Sequence, residues 1–292
     1  MRVRAYIKSA VANIHSIQDF QLQVAKAVDR MIETTTDGIT YKGFEKLDPN
    51  QGYLFISNHR DISLDPALID YALHSYHNNT MRIAIGDNLL KMPAATALMR
   101  LNKSFLVKRA ITSPRELLKE VTHLSHYIGL SLKEGHSIWI AQREGRAKDG
   151  NDCTEEAVLK MLHMYGRKQN KGFGEYMRSL KVVPVSITYE YDPGDLAKAA
   201  ELYERAQNNG QYKKGEFEDI RSIIKGIKDY KGRISIVAGE PIEQDFDTPS
   251  QLAAIMDKFI YENYAMYPSV LLAAKALGYA NESDVADISS ED

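Results

Sequence analysis

Tyr53-Leu54-Phe55-Ile56-Ser57-Asn58-His59-Arg60-Asp61-Ile62-Ser63-Leu64-Asp65-Pro66 decides the fold of this chain. Asp48-Pro49-Asn50-Gln51-Gly52 before it is turn chemistry, and the apolar run Tyr53–Ile56 that follows has the length and character of a buried strand. Asp65-Pro66 then reads as a helix N-cap with proline at the first helical position, opening a helix to about His77. A strand that turns directly into a helix is the unit from which α/β sheets are built.

The same alternation continues outward. Strands are predicted at Ile39–Tyr41, Arg82–Ile85, Ser104–Val107, Ser137–Ala141, Lys181–Tyr189 and Arg233–Ala238. Helices are predicted at Asn88–Arg100, from Ser113-Pro114 to about Lys133, and after Thr154-Glu155-Glu156. Upstream, Ile7, Val11, Ile14, Phe20, Val24, Val28 and Ile32 recur at helical spacing. The expected fold is α/β, with a mixed, mostly parallel central sheet flanked by helices. Residues 1–37 are expected as an N-terminal helical segment, 38–280 as one α/β domain and 281–292 as a disordered tail. That tail holds five acids and no base.

Composition narrows the functional classes. At 44% hydrophobic and 26% charged residues the chain is of ordinary globular type. A net charge of −2 argues against nucleic acid as the main partner. The charge is uneven: residues 1–150 carry 20 Lys/Arg against 15 Asp/Glu, and the remainder carries 17 against 24. A basic first half suits an anionic ligand or membrane surface. The single cysteine, Cys153, excludes an intramolecular disulfide and a thiolate zinc cluster, and fits cytoplasmic surroundings. No stretch approaches the roughly 18 apolar residues of a spanning helix.

The chemistry is carried by His59, which lies just beyond the strand Tyr53–Ser57 with Asp61 and Asp65 two and six residues later. An imidazole can take a proton from an alcohol, and a carboxylate on its other nitrogen fixes the tautomer. His-Arg-Asp also occurs in the protein-kinase catalytic loop, but Pro66 stands where kinases need Asn, and no glycine-rich loop or Asp-Phe-Gly is present. Three more segments follow a strand with polar or basic residues or form one: Phe105-Leu106-Val107-Lys108-Arg109, Arg143-Glu144-Gly145-Arg146 and Val183-Pro184-Val185.

In this order and at these intervals, the four segments resemble those of the glycerol-phosphate and lysophosphatidate acyltransferase family, over about residues 53–190. Asn58-His59 matches its Asn-His-x4-Asp motif, Phe105–Lys108 its Phe-x-x-Arg motif, Glu144-Gly145-Arg146 its Glu-Gly motif, and Val183–Val185 its Val-Pro-Val strand. The resemblance implies that His59 deprotonates an acceptor hydroxyl, which attacks an acyl thioester without an acyl-enzyme. It implies that Arg146, with Lys108, Arg109 or Arg143, holds the acceptor's phosphate, that Glu144 orients a hydroxyl, and that Asn58 and Gly145 belong to the same site. No bound cofactor or metal is implied. The donor is acyl-CoA or acyl-carrier protein, the acceptor is a lysophospholipid or related lipid, and the setting is the inner face of the membrane, held peripherally.

Two departures from the motif stand out. Position 64 is Leu where the family has Asp, which leaves Asp65, preferred here, and Asp61 as candidate partners of His59. Arg146 follows Gly145 directly, without the usual intervening residue, and this leaves room for a lyso-aminolipid acceptor. A non-catalytic lipid- or carrier-binding protein on the same fold, and a thioester hydrolase, are the competing readings. The long segment 149–181 is expected to be a solvated helical face rather than part of an acceptor pocket.

Overall fold

The computed structural model describes residues 14–87, 93–108 and 111–281. Its strands are β1 (Ile39–Lys42), β2 (Leu54–Ser57), β3 (Arg82–Gly86), β4 (Ser104–Val107), β5 (Ile138–Ala141), β6 (Val182–Tyr189) and β7 (Ile234–Ala238). They form one sheet in the order β1-β7-β6-β2-β5-β3-β4. All neighbours pair in parallel except β6 and β7, so β1 and β7 run against the other five. The mixed, mostly parallel sheet expected from the sequence is therefore present.

Sheets of this kind are buried on both faces, and β2 shows it residue by residue. Phe55 points into one core with Trp139, Val183 and Ile236, while Leu54 and Ile56 point into a second with Ile138, Ile140 and Val182. The first core is covered by α1 (Ile17–Thr35) and α2 (Leu64–His77), through Met31, Leu68 and Ile69. The second is covered by α4 (Pro114–Lys133), α5 (Glu156–Lys168), α6 (Phe173–Ser179) and α9 (Pro249–Glu262), through Ile128, Leu159, Met177 and Met256. The remaining helices are α3 (Pro93–Leu101), α7 (Asp195–Gln207), α8 (Glu218–Lys228) and α10 (Pro268–Ala276). No helix among the described residues is long and apolar enough to cross a membrane.

Several local expectations are corrected. Asp65 does not cap α2; the helix begins at Leu64, and Asp61 Oδ1 accepts the free N–H groups of Ser63 and Leu64 at 2.9 and 2.8 Å. Thr154 does not cap α5 either, because its hydroxyl and backbone N–H turn to Asp257 on α9. The sequence reading missed α7 to α10. Pro184 sits in a central strand, yet β7 joins β6 only from Val185 onward, so the proline lies outside that ladder. The expected N-terminal helix survives as α1; its first residues, the segment 88–92, Arg109 and residues 282–292 lie outside the described residues. The segment 149–181 is a solvated face on one side and core on the other. Lys160 pairs with Glu156 on α5, and Lys171, just before α6, pairs with Glu175 on that helix, while Leu159, Leu162 and Tyr176 are buried.

The tightest backbone contact fixes where β1 meets β7. Gly43 has φ +87°, and a Cβ there would stand 1.9 Å from the carbonyl oxygen of Ala238. Left-handed strain and a clash with main chain combine at this position. Gly43→Ala is expected to lower unfolding free energy by about 3 kcal/mol or more. Urea denaturation measures this, and a loss under about 1 kcal/mol would contradict the tight approach.

Candidate active site

β6, β2 and β5 are adjacent and parallel, so their carboxyl ends lie side by side. The loops leaving them are 58–63, 142–155 and 190–194, and the first two carry Asn58, His59, Asp61, Arg143, Glu144, Gly145 and Arg146, with Asp65 in the first turn of α2. Such convergence at the carboxyl edge is the usual place for a site in an open α/β sheet.

His59 leaves β2 with its ring edge-on to Trp139, centroids 5.6 Å apart. Its Nδ1 lies 2.8 Å from Asp65 Oδ2. A carboxylate at this position accepts, which places a proton on Nδ1, so that in the neutral tautomer the lone pair lies on Nε2. Asp65 is fully buried, and both its oxygens are occupied. Oδ2 also accepts from the N–H groups of Arg60 and Asp61 at 2.6 and 2.9 Å, and Oδ1 accepts from the Tyr189 hydroxyl at 2.9 Å. These donors fix the carboxylate, and through it the imidazole.

Asp61 turns away from His59. With Oδ1 spent on α2, its Oδ2 is buried without a hydrogen-bond partner, close against Gly226 on α8. Burial and the nearby Asp65 charge raise its pKa.

Asn58 is fully buried and lies beneath the site rather than in it. Its amide oxygen accepts from Ile187 N at 2.8 Å, and its nitrogen donates to Ile187 O at 2.9 Å, which ties the end of β2 to β6. The second loop presents Arg143, Glu144, Gly145 and Arg146 together. Gly145 has φ +75°, a conformation that suits glycine. Arg143 donates to Asn151 O at 3.1 Å, and Arg146 donates to the Ser222 hydroxyl on α8 at 2.8 Å. Glu144 is exposed on this loop. Lys108 is not gathered here. It follows β4, three strands from β2 and so roughly 14 Å away, and pairs with Glu120 on α4 at 3.0 Å.

The structure adds a buried charge cluster that the sequence reading did not find. Arg60 Nε donates to Asp192 at 2.7 Å, and its Nη1 donates to Asp152 at 2.9 Å. Lys198 on α7 donates to Arg60 O at 2.8 Å and pairs with Asp192. Burial works against the guanidinium's charge, but Asp192 and Asp152 outweigh it and raise the pKa of Arg60. Burial lowers that of Lys198. Two cations thus face two carboxylates, joining the His59 loop, the 142–155 loop and α7. Only the place of Arg60 beside His59 hinted at this; Asp192 and Lys198 lie more than 130 residues away in sequence.

The family model described as Acyltransferase matches residues 38–190, more than half of the chain. The chain belongs to the acyltransferase family. No curated protein matches it. Among solved structures, the crystal structure of the 1-acyl-sn-glycerophosphate (LPA) acyltransferase PlsC from Thermotoga maritima is similar, with a TM-score of 0.50 at 13% identity. The likeness covers 89% of this chain and 87% of that one, and at this identity it speaks to the shared fold. In this acyltransferase the matched span holds β1 to β6, and so includes both the His59 loop and the Arg146 loop.

Proposed function

We propose that the enzyme moves a fatty acyl group from acyl-CoA or acyl-carrier protein to the hydroxyl of a glycerolipid precursor such as lysophosphatidate. The observation that carries this reading is the 2.8 Å contact of His59 Nδ1 with the buried Asp65 carboxylate, on the loop after β2; the loop after the adjacent strand β5 presents Arg146. The fold neighbour's name refers to the same acceptor class. His59 Nε2 takes the acceptor's O–H proton as its oxygen bonds to the thioester carbonyl carbon. The tetrahedral intermediate collapses with loss of the C–S bond, and the imidazolium returns its proton to the leaving thiolate. No enzyme atom is acylated. Asp65 orients the ring and balances its transient charge. Arg146, supported by Arg143, holds the acceptor's phosphate as a fork-shaped donor. The lipid acceptor places the enzyme at the inner face of the membrane, associated peripherally.

Transfer of labelled palmitate from each donor to a panel of lysophospholipids and lyso-aminolipids tests the reading. Phosphate-dependent acceptor use is expected. Asp65→Asn should lower kcat about 10²- to 10⁴-fold by releasing the tautomer, whereas Asp61→Asn, which keeps the helix cap, should stay within about tenfold. Equal losses at both positions would remove Asp65 from its role. Donor cleavage without acceptor dependence would make the protein a hydrolase.

A further inference from the structure

The excursion between β6 and β7 carries α8 across the mouth of the site. Its inner face is narrow and polar: Ser222 receives Arg146, and Gly226 lies against Asp61. The helix turns 100° per residue, which sets Ile220, Ile223, Ile224 and Ile227 in a second stripe beside this face. Arg221, Lys225 and Lys228 form a third. The isoleucine stripe is poorly covered. Ile224 and Ile227 are 47% and 45% exposed, and Phe217 and Tyr230, which flank the helix, are 52% and 55% exposed. Tyr230 pairs with Tyr191, itself 44% exposed, at a ring distance of 5.8 Å.

We propose that the outer face of α8 is the surface by which the enzyme seats on an anionic bilayer, so that the acceptor passes from the leaflet directly beneath Arg146 and His59. An apolar stripe bordered by lysines and arginine, with tyrosines at its end, has the make-up of an interfacial helix. Aliphatic side chains enter the headgroup boundary, the cations meet lipid phosphates, and amphipathic tyrosine rings lie at headgroup depth. Charge complementarity selects an anionic lipid surface, and contact of the same helix with Arg146 and Asp61 places that surface at the site. The inference rests on the lipid-acceptor reading above and assigns the segment that meets the membrane.

Sedimentation of the full chain with phosphatidylcholine vesicles, with and without phosphatidylglycerol, tests it. Wild type should bind the anionic vesicles and release them as salt is raised. Ile224→Glu with Ile227→Glu should weaken binding about tenfold or more, and Lys225→Glu with Lys228→Glu should remove the preference for phosphatidylglycerol. Leu118→Glu, at a leucine on α4 that is somewhat more exposed than either isoleucine, should bind as wild type does. Transfer to vesicle-borne acceptor should fall with binding in the isoleucine variant, and transfer to a short-chain soluble acceptor should not change. Wild-type vesicle binding by the isoleucine variant overturns the proposal. So does a concentration-dependent dimer that the same variant dissolves, which would make the stripe a face between copies. Vesicle binding without transfer to any acceptor leaves the surface standing and counts against the proposed reaction instead.

Discussion

His59→Ala is expected to reduce kcat for acyl transfer by about 10²- to 10⁴-fold, the range contributed by a positioned general base. The ring is the only part of the Asp65 arrangement with access to a substrate. Asp65 itself is fully buried, its oxygens taken by His59, two backbone N–H groups and Tyr189. Removing the imidazole leaves the carboxylate with three of its four donors, so the fold should hold. The thermal midpoint should move by no more than a few degrees. Single-turnover transfer at saturating acceptor separates lost chemistry from lost binding. A kcat within tenfold of wild type would place the base elsewhere.

Arg60→Met should destabilise the chain by about 3–5 kcal/mol, because it strands two carboxylates and an ammonium that now balance one another. The guanidinium bridges Asp152 and Asp192 and is 7% exposed, so water cannot take its place. For a chain of this size the thermal midpoint should fall by roughly 6–15 °C. Arg60→Lys keeps the charge but not the fork, and should recover only part of that loss. Replacing Asp152 and Asp192 by Asn alongside Arg60→Met removes most of the stranded charge and should restore part of the stability. A midpoint shift of less than about 3 °C in Arg60→Met would show that the cluster is hydrated and of little energetic weight.

These two residues stand side by side, and they divide what was legible in the sequence from what was not. The run Tyr53–Ser57 announced a strand by its apolar continuity, and His59 announced itself by following that strand. The choice of Asp65 over Asp61 rested on its spacing before an expected capped helix, and the structure puts Asp65 on the ring for a different reason: helix α2 starts two residues earlier than expected, with Asp61 accepting its first free N–H groups. Arg60 gave no signal beyond its place beside His59, because its partners come from distant segments brought near by the order of the strands. Lys108 misled for the same reason, since its strand is separated from β2 by two others. The helix α7 escaped because its polar composition resembles a solvated loop, whereas α8 carried a legible amphipathic pattern in Ile220, Ile223, Ile224 and Ile227 that went unread.

The pairing of β6 with β7 is antiparallel, and the whole stretch 190–233 is therefore the loop of a hairpin whose stem is in the sheet. Loop length in a hairpin is thermodynamically cheap to vary, since closure entropy grows only slowly with it. A chain built this way can lengthen, shorten or exchange the cover of its site while β2, β5 and β6, and the base they hold, stay in register. The cover of the site is then modular: it is carried by a replaceable hairpin tip, provided the tip still supplies an acid and a lysine for Arg60.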